Sequence, residues 1–389
     1  MNVVLAFLAW LGHLVLLVGL HNWITGHDLP RKTAKLVHLA HLLAFLLFPV
    51  LLVSLFGPGL TSLFSFSEDC PGRLGVSLYA ACCVGVATLW LPWISLGRRR
   101  RRDAVGPVHS EVVDLAAQIG PTILGTGRYG RLARLPGNQA FQVEFAEKTL
   151  YVPELPAAWD GLTILHLTDL HFHGTPDRAF FRAIAERCAA WEPDIVALTG
   201  DIVDSARHHG WILPILGRLR WKCAGLAILG NHDHRHDVTV IRRRLRRIGM
   251  KVPENNWFTI QVRDVPLAVI GHEGPWLPGV PNLADCPREH FRLCLSHTPD
   301  HIAWARKQGI QLMLAGHVHG GQIRLPMVGS VFVPSKLGRR HDSGTFYLPP
   351  TLLHVCRGLS GEYPVRFRCL PEVALLRLRT APEKDAHQP

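Results

Sequence analysis

The sequence predicts an α/β chain in two parts: three N-terminal membrane-spanning helices, then one soluble α/β domain. Three observations carry this expectation. The first hundred positions contain three long stretches free of Asp, Glu, Lys and Arg. From about Ala140 onward, short β-like apolar runs alternate with helical segments. Five of those runs end directly in a cluster of Asp, Asn, His or Gly. At 389 residues the chain has room for more than one domain and for a large buried core.

Residues 3–20, 36–56 and 74–96 are the apolar stretches, each near the ~20 residues that cross ~30 Å of hydrocarbon. A cleaved signal peptide is the competing reading of the first, but Met1-Asn2-Val3-Val4 offers no basic n-region and two further spans follow. The connections then set an orientation. Arg31, Lys32 and Lys35 outweigh Asp28 in the first connection, Glu68 and Asp69 outweigh Arg73 in the second, and Arg98 to Arg102 run uninterrupted after the third span. Basic connections alternating with an acidic one place the amino terminus outside and everything after Trp93 in the cytoplasm. The expected location is therefore the inner (cell) membrane, multi-pass. The arginine run serves as a stop-transfer anchor and could also hold anionic head groups.

The division that follows is 1–97 for the membrane helices, 98–139 for a basic juxtamembrane linker, 140–379 for the soluble domain and 380–389 for a disordered tail. Within the linker, Gly125-Thr126-Gly127-Arg128-Tyr129-Gly130-Arg131 reads as turns, and Val112 to Ile119 as a short surface helix. In the domain, Gln142 to Phe145 and Leu150 to Val152 read as two strands, and Asp177 to Trp191 as a helix with Phe180, Ile184 and Cys188 on one face. Net charge is +12, from 42 Lys+Arg against 30 Asp+Glu, which points to an acidic partner: phosphate, nucleic acid or an anionic membrane. The nine cysteines are scattered without Cys-x-x-Cys spacing, which argues against a disulfide framework or a zinc knuckle.

The informative regularity is positional. The runs Thr163 to Leu167, Ile195 to Leu198, Leu226 to Leu229, Leu293 to Leu295 and Gln311 to Ala315 each lead into a polar cluster. In order these are Asp169-Leu170-His171, Gly200-Asp201-Ile202-Val203-Asp204, Gly230-Asn231-His232-Asp233, Ser296-His297 and Gly316-His317-Val318-His319. All would lie on the C-terminal rim of a sheet, where open α/β folds collect ligands. Carboxylate oxygen mixed with imidazole nitrogen suits Mn, Fe or Zn. On an extended chain the two side chains of an Asp-x-His or His-x-His step point the same way, so both reach one ion. Gly200, Gly230 and Gly316 would remove bulk where ligands approach backbone. Taken singly, Gly-Asp-x-x-Asp is an ordinary helix-capping turn; five such clusters at five strand ends resist that reading.

This set, in this order, resembles the calcineurin-like metallophosphoesterase superfamily across residues 140–379. Leu162 to His171, Gly320-Gly321-Gln322-Ile323-Arg324-Leu325-Pro326, and Arg357-Gly358-Leu359 through Pro364-Val365-Arg366-Phe367 are similar to its membrane-associated, YkuE/YaeI-like bacterial branch. The resemblance implies a four-layer α/β/β/α sandwich with two divalent metal ions at its rim. It implies Asp169, His171 and His319 around the first, Asn231, His297 and His317 around the second, and Asp201 shared by both.

His232, not needed for coordination, is free to donate to a phosphate or protonate a leaving oxygen, with Asp233 orienting it. Asp204 is expected to support the site by hydrogen bonding. His166, His173, His234 and His236 read as rim histidines that only hydrogen-bond. Arg242, Arg243, Arg244, Arg246 and Arg247 decorate a helix, as a solvated face or one leaning on anionic lipid. Trp276 and Leu277, in the apolar loop Gly274 to Gly279, are candidates for an acyl contact, with packing on their own domain as the alternative.

The functional expectation is a membrane-anchored, two-metal hydrolase of phosphoester or pyrophosphate bonds, with a lipid such as UDP-2,3-diacylglucosamine as candidate substrate. A nuclease draws on the basic charge and on DNA-repair nucleases of the same superfamily. It is disfavoured, because topology accounts for part of that charge and no aromatic-basic alternation for single-strand binding appears. A metal-holding scaffold without turnover would have no need of His232 beside its ligands.

Overall fold

Long runs of Leu, Val, Ala and Phe without a breaking charge form the first three helices: α1 (Asn2–Thr25), α2 (Arg31–Phe56) and α3 (Pro71–Gly97). The computed structural model describes residues 2–97 and 105–380, apart from 28, 30, 58–59, 61–62, 64–70, 128 and 327. The charges of Asp28, Glu68, Asp69 and Arg98 to Arg102, and the tail from Ala381, lie outside the described residues. Val3–Thr25, Lys35–Phe56 and Gly72–Leu89 are each long and apolar enough to cross a membrane. Ala6, Ala9, Phe48, Leu52, Ala80 and Cys83 pack between the three helices, while Leu36, Leu47 and Leu89 are exposed. His13, a polar group inside the first apolar helix, is matched by Tyr79 Oη at 2.7 Å and Ala44 O at 3.2 Å.

The described residues divide into two compact units, the three helices together with Val331–Arg340, and the remainder from Val105. In the second unit the strands, in chain order, are β1 (Val105–Asp114), β2 (Gln142–Val152), β3 (Thr163–Leu167), β4 (Ile195–Thr199), β5 (Ala224–Ile228), β6 (Met250–Lys251), β7 (Trp257–Val262), β8 (Val265–His272), β9 (Phe291–Ser296), β10 (Leu312–Ala315), β11 (Arg324–Leu325), β12 (Gly329–Ser330), β13 (Gly344–Leu348), β14 (Thr351–Val355) and β15 (Glu372–Thr380). The helices are α4 (Leu115–Ile119), α5 (Arg178–Ala189), α6 (Ile212–Leu216), α7 (Val238–Arg247) and α8 (Ile302–Lys307).

Seven strands make one sheet in the order β1-β2-β15-β3-β4-β5-β6, and six make another, β13-β14-β10-β9-β8-β7. Strands β3 to β6 run parallel, as do β8, β9, β10 and β14. Parallel strands covered on both faces should read as unbroken apolar runs, and β4 and β5 are buried at every residue. Alternate side chains of the two sheets meet between them, with Ile164, Ile195, Ala197, Leu226 and Ile228 against Val269, Leu293, Leu295, Leu312, Leu314 and Leu352. The opposite face of the first sheet carries Leu165, Leu167, Val196 and Leu198 against Phe180, Phe181 and Ile184 of α5, Ile212 and Leu216 of α6, and Ile241 and Leu245 of α7. Each such side chain contributes about 1.5–3 kcal/mol by leaving water. Helix α8 packs by β14, which completes the α/β/β/α layering.

The linker expected over 98–139 is corrected. Val105–Asp114 is an edge strand, paired antiparallel with β2 from Val105 opposite Leu150 to Asp114 opposite Gln142. Its period was hidden because only Val113 is buried along it, Val108 and Val112 standing exposed. The surface helix starts at Leu115, not Val112, because Asp114 caps it by accepting from Ala117 N at 3.0 Å. The two strands expected over 142–152 are one: Glu147 and Lys148 continue the ladder, paired with β1 on one side and β15 on the other, and Thr149 pairs with Arg377 of β15. Asp177, expected to begin α5, is its N-cap and accepts from Ala179 N at 3.0 Å.

Candidate metal centre

Strands β3, β4, β5, β9 and β10 end at one rim, and the loops leaving them bring together the candidate ligands. Nitrogen and oxygen atoms of Asp169, His171 and His319 lie within 4.8 Å of one another, as do those of Asp201, His297 and His317. Asn231 joins the second group, its Oδ1 3.0 Å from His297 Nε2. Asp201 Oδ2 lies 3.6 Å from His171 Nε2 and 3.2 Å from His297 Nε2, so one carboxylate oxygen faces both groups.

The side chains do not converge by strand alternation, which is a correction. Asp169, His171, Asp201, His317 and His319 all have positive φ, between 48° and 71°. Non-glycine residues in this region cost about 1–3 kcal/mol each and persist only where surroundings over-determine them. Here the surroundings are close backbone. A Cβ on Gly230 would lie 2.2 Å from Asp201 Oδ1, and one on Gly316 2.6 Å from Asp169 Oδ2. His317 N donates to Asp169 Oδ2 at 3.0 Å and His232 N to Asp201 Oδ1 at 2.8 Å. The ligand loops thus hold one another.

Electrostatics follow from crowding imidazoles and carboxylates out of water. Burial opposes charge on His171, but Asp204, Asp201 and Asp169 outweigh it and push its pKa up to about 10. Burial likewise opposes charge on His297, and Asp201 raises it to about 9. Burial, with the His297 charge adding, pushes His317 down to about 3. Burial would raise Asp201, yet the His297, His232 and His171 rings hold it well below the usual carboxylate range. The buried carboxylates thus sit against imidazole nitrogens, where a divalent cation would supply the compensating charge with the ligating rings neutral. His171 Nε2 and His317 Nε2 are buried without a hydrogen-bond partner. Unpartnered imidazole nitrogens facing carboxylate oxygen fit Mn, Fe or Zn.

Asp204, expected only to support the site, orients two rings. Its Oδ1 is 2.9 Å from His171 Nδ1 and 2.8 Å from His232 Nδ1, hydrogen-bond distances that leave the Nε2 edges of both rings turned away from it. Burial would raise Asp204, but these two imidazoles hold it well below the usual range. The orienting role expected of Asp233 is corrected. Its carboxylate accepts from Ile202 N at 3.0 Å, Val203 N at 2.9 Å and Gly230 N at 3.0 Å. It therefore fixes the turn that carries Asp201, not the ring of His232.

Of the two readings of Trp276 and Leu277, packing on their own domain is the one the structure shows. Both are buried, and the Trp276 ring packs 4.9 Å from His317 and 5.5 Å from His297. His166 lies between the sheets, bonded to Thr199 Oγ1 at 2.9 Å and facing His354 Nδ1 at 3.0 Å. His173 donates to Gly361 O at 3.1 Å, His236 packs by His209, and His234 is exposed. Arg242 pairs with buried Glu273 and with Glu254 at 3.1 Å, and Arg246 with Glu254 at 2.7 Å, so these two arginines serve their own domain.

Two supporting groups had no assigned role. Arg366, 1% exposed, donates to the carbonyls of His319 at 3.1 Å, Arg357 at 2.9 Å, Gly358 at 3.4 Å and Ser360 at 2.6 Å. That clamps the loop whose Ser360 N donates to Asp169 O at 2.8 Å. Thr199 O is 2.7 Å from His297 Nδ1 and so turns Nε2 of that ring toward Asp201.

Residues 162–321, which contain all seven candidate ligands and His232, match the family model described as calcineurin-like phosphoesterase. The metallophosphoesterase YkuE of Bacillus subtilis is 28% identical over 263 residues, which is 65% of this chain and 91% of YkuE. Phosphodiesterase YaeI of Escherichia coli is 29% identical over 224 residues, 55% of this chain and 81% of YaeI. The UDP-2,3-diacylglucosamine pyrophosphatase LpxG of Chlamydia trachomatis is 26% identical over 285 residues, 58% of this chain and 86% of LpxG.

Proposed function

We propose that this chain, a calcineurin-like phosphoesterase and a metal-dependent phosphohydrolase, is a membrane-anchored dinuclear enzyme that hydrolyses a phosphodiester or pyrophosphate bond of a lipid-borne substrate. The observation that carries the reading is Asp201 Oδ2, set between His171 Nε2 at 3.6 Å and His297 Nε2 at 3.2 Å. One carboxylate facing two sets of ligands is what two adjacent ions require. Asp169, His171 and His319 would hold the first ion, Asn231, His297 and His317 the second, and Asp201 both. When bound, the pair supplies Lewis-acid stabilisation of phosphate oxygens and an activated water.

The chain's own residues do the rest. His232 is 12% exposed at the mouth of the site, with Nδ1 on Asp204 at 2.8 Å. Asp204 fixes the ring through Nδ1 and turns Nε2 away from itself, with Arg235 Nη1 3.5 Å from that edge; Nε2 would give a proton to the leaving oxygen or hold a phosphate oxygen. Trp276, packed on His317 and His297, keeps water from that side of the ligands. The lipid-borne substrate is supported by three apolar helices long enough to cross a membrane. UDP-2,3-diacylglucosamine, the lipid in the name of the LpxG relative, is the specific candidate.

The test is turnover by the detergent-purified full chain with Mn²⁺. We expect hydrolysis of UDP-2,3-diacylglucosamine in mixed micelles, abolished by EDTA and restored by metal. Ready hydrolysis of a soluble aryl phosphodiester with the lipid left untouched would overturn the lipid assignment, and no hydrolysis of either would overturn the proposed bond class.

A further inference from the structure

Asn22 lies on α1 near the end of the apolar stretch Val3–Thr25 and is 2% exposed. A primary amide at such a place is costly unless both of its ends are hydrogen-bonded. Both are, and by one distant segment. Nδ2 donates to Val331 O at 2.9 Å, and Oδ1 accepts from Val333 N at 2.9 Å. The seat is tight. A Cβ on Gly26 would lie 2.4 Å from Lys336 N, and the Phe332 ring meets His21 at 5.3 Å. Val331–Arg340 accordingly groups with the helices, although the chain on both sides of it belongs to the catalytic domain. There Asp342 Oδ2 accepts from Ser330 Oγ at 2.5 Å and from Arg324 Nη2 at 3.0 Å, which ties together the two roots of the segment.

At ~1.5 Å per residue, Asn22 is about 5 Å short of the end of its apolar stretch, the depth of a head-group boundary. The same layer holds Trp23, 53% exposed, the residue type enriched at membrane interfaces. His38 and His41, from the start of the second apolar stretch, approach His21 at 5.0 and 5.4 Å. The segment itself exposes Phe332 at 55% and carries Lys336, Arg339 and Arg340 without any acidic residue. An exposed aromatic ring beside three cations is the composition of an interfacial anchor.

We propose that Val331–Arg340 is a membrane-interface strap: Asn22 docks it on the end of the first span, Phe332 enters the acyl region, and Lys336, Arg339 and Arg340 lie among the phosphates of anionic lipids. It rests on the reading of α1 as a membrane span.

The test places a photoreactive ring in the strap, Phe332→p-benzoylphenylalanine, in the full chain in nanodiscs of phosphatidylcholine with phosphatidylglycerol. After irradiation, mass spectrometry should find a lipid adduct at position 332 as the main product. The adduct should fall several-fold when Asn22→Leu removes the dock, and also when Lys336, Arg339 and Arg340 are all changed to Gln, a variant that leaves α1 intact. It should fall likewise in nanodiscs without phosphatidylglycerol. Crosslinks to protein alone, in a chain that resists alkaline-carbonate extraction from membranes, would overturn the strap while leaving the span reading in place. Release of the chain by carbonate would overturn both.

Discussion

Asp204 holds two imidazoles with one carboxylate, 2.9 Å from His171 and 2.8 Å from His232, and this makes the two roles separable by mutation. Asp204→Ala should release both rings: metal affinity falls about 10–100-fold, the usual cost of losing a group that orients a ligand, and kcat falls with it. His232→Ala should retain full metal content while kcat drops by about 10²–10⁴, the worth of a positioned proton donor. Metal analysis beside kinetics checks the pair, and loss of metal from the His232 variant would make that residue a ligand. Asp201→Asn should empty both ion positions, because the amide weakens the one oxygen that faces both groups; two ions per chain retained would remove its bridging role. The gathering of these residues was legible because each follows an apolar run at a strand end. The work of Asp233 was misread because adjacency to His232 along the chain says nothing of direction; the turn after His232 points Asp233 back at the amides of Ile202 and Val203. Arg366 stood in a stretch that carries the family resemblance, but its clamping role was not legible, since the partners of its guanidinium are main-chain carbonyls, which carry no side-chain identity.

Among the elements, β3 and β14 show how a polar pair is carried inside an apolar layer. His166 of β3 faces His354 of β14 from across the space between the sheets, and burial pushes the His166 pKa down to about 3. The free chain protonates near 6.5, whereas the folded ring stays neutral until about pH 3. Between those values only the unfolded state takes up the proton, so folding weakens as pH falls, by about 1.4 kcal/mol per pH unit for each such ring. The Tm of the detergent-solubilised chain should therefore drop more steeply from pH 6.5 to 5 than that of His166→Gln, whose amide can serve Thr199 and His354 without titrating. Equal slopes would mean that the ring is already charged in the fold. The parallel strands were readable as unbroken apolar runs, because burial on both faces removes every polar position. Strand β1 was not, because an edge strand with a single buried residue has no period to read, and its pairing partner lies beyond three loops.

For the molecule as a whole, topology decides which substrates the site can meet. On the proposed reading of the three apolar helices as spans, the two ends of that region would lie on opposite sides, so one bias would fix everything downstream. Arg31, Lys32 and Lys35 open α2, at the start of the second apolar helix, Glu68 and Asp69 fall between the second and third, and five consecutive arginines, Arg98 to Arg102, follow the third. Lys and Arg close to span ends are retained on the cytoplasmic side, so both basic segments vote for the same orientation and the acidic connection does not oppose it. On that proposed topology, the excess of 42 Lys+Arg over 30 Asp+Glu would be partly a topology signal and only partly one of an acidic ligand. That split is why composition alone left phosphate, nucleic acid and membrane all open. An alkaline-phosphatase reporter fused after Gln388 should accordingly be inactive in intact cells, and a green fluorescent protein fused at the same point should fluoresce. Replacing Arg98 to Arg102 by Gln should raise the fraction of active phosphatase, because the strongest retained segment is gone while the spans are unchanged. An active reporter on the native sequence would put the metal centre on the outer side, away from cytoplasmic nucleotide lipids, and would leave a cell-envelope phosphodiester as its substrate.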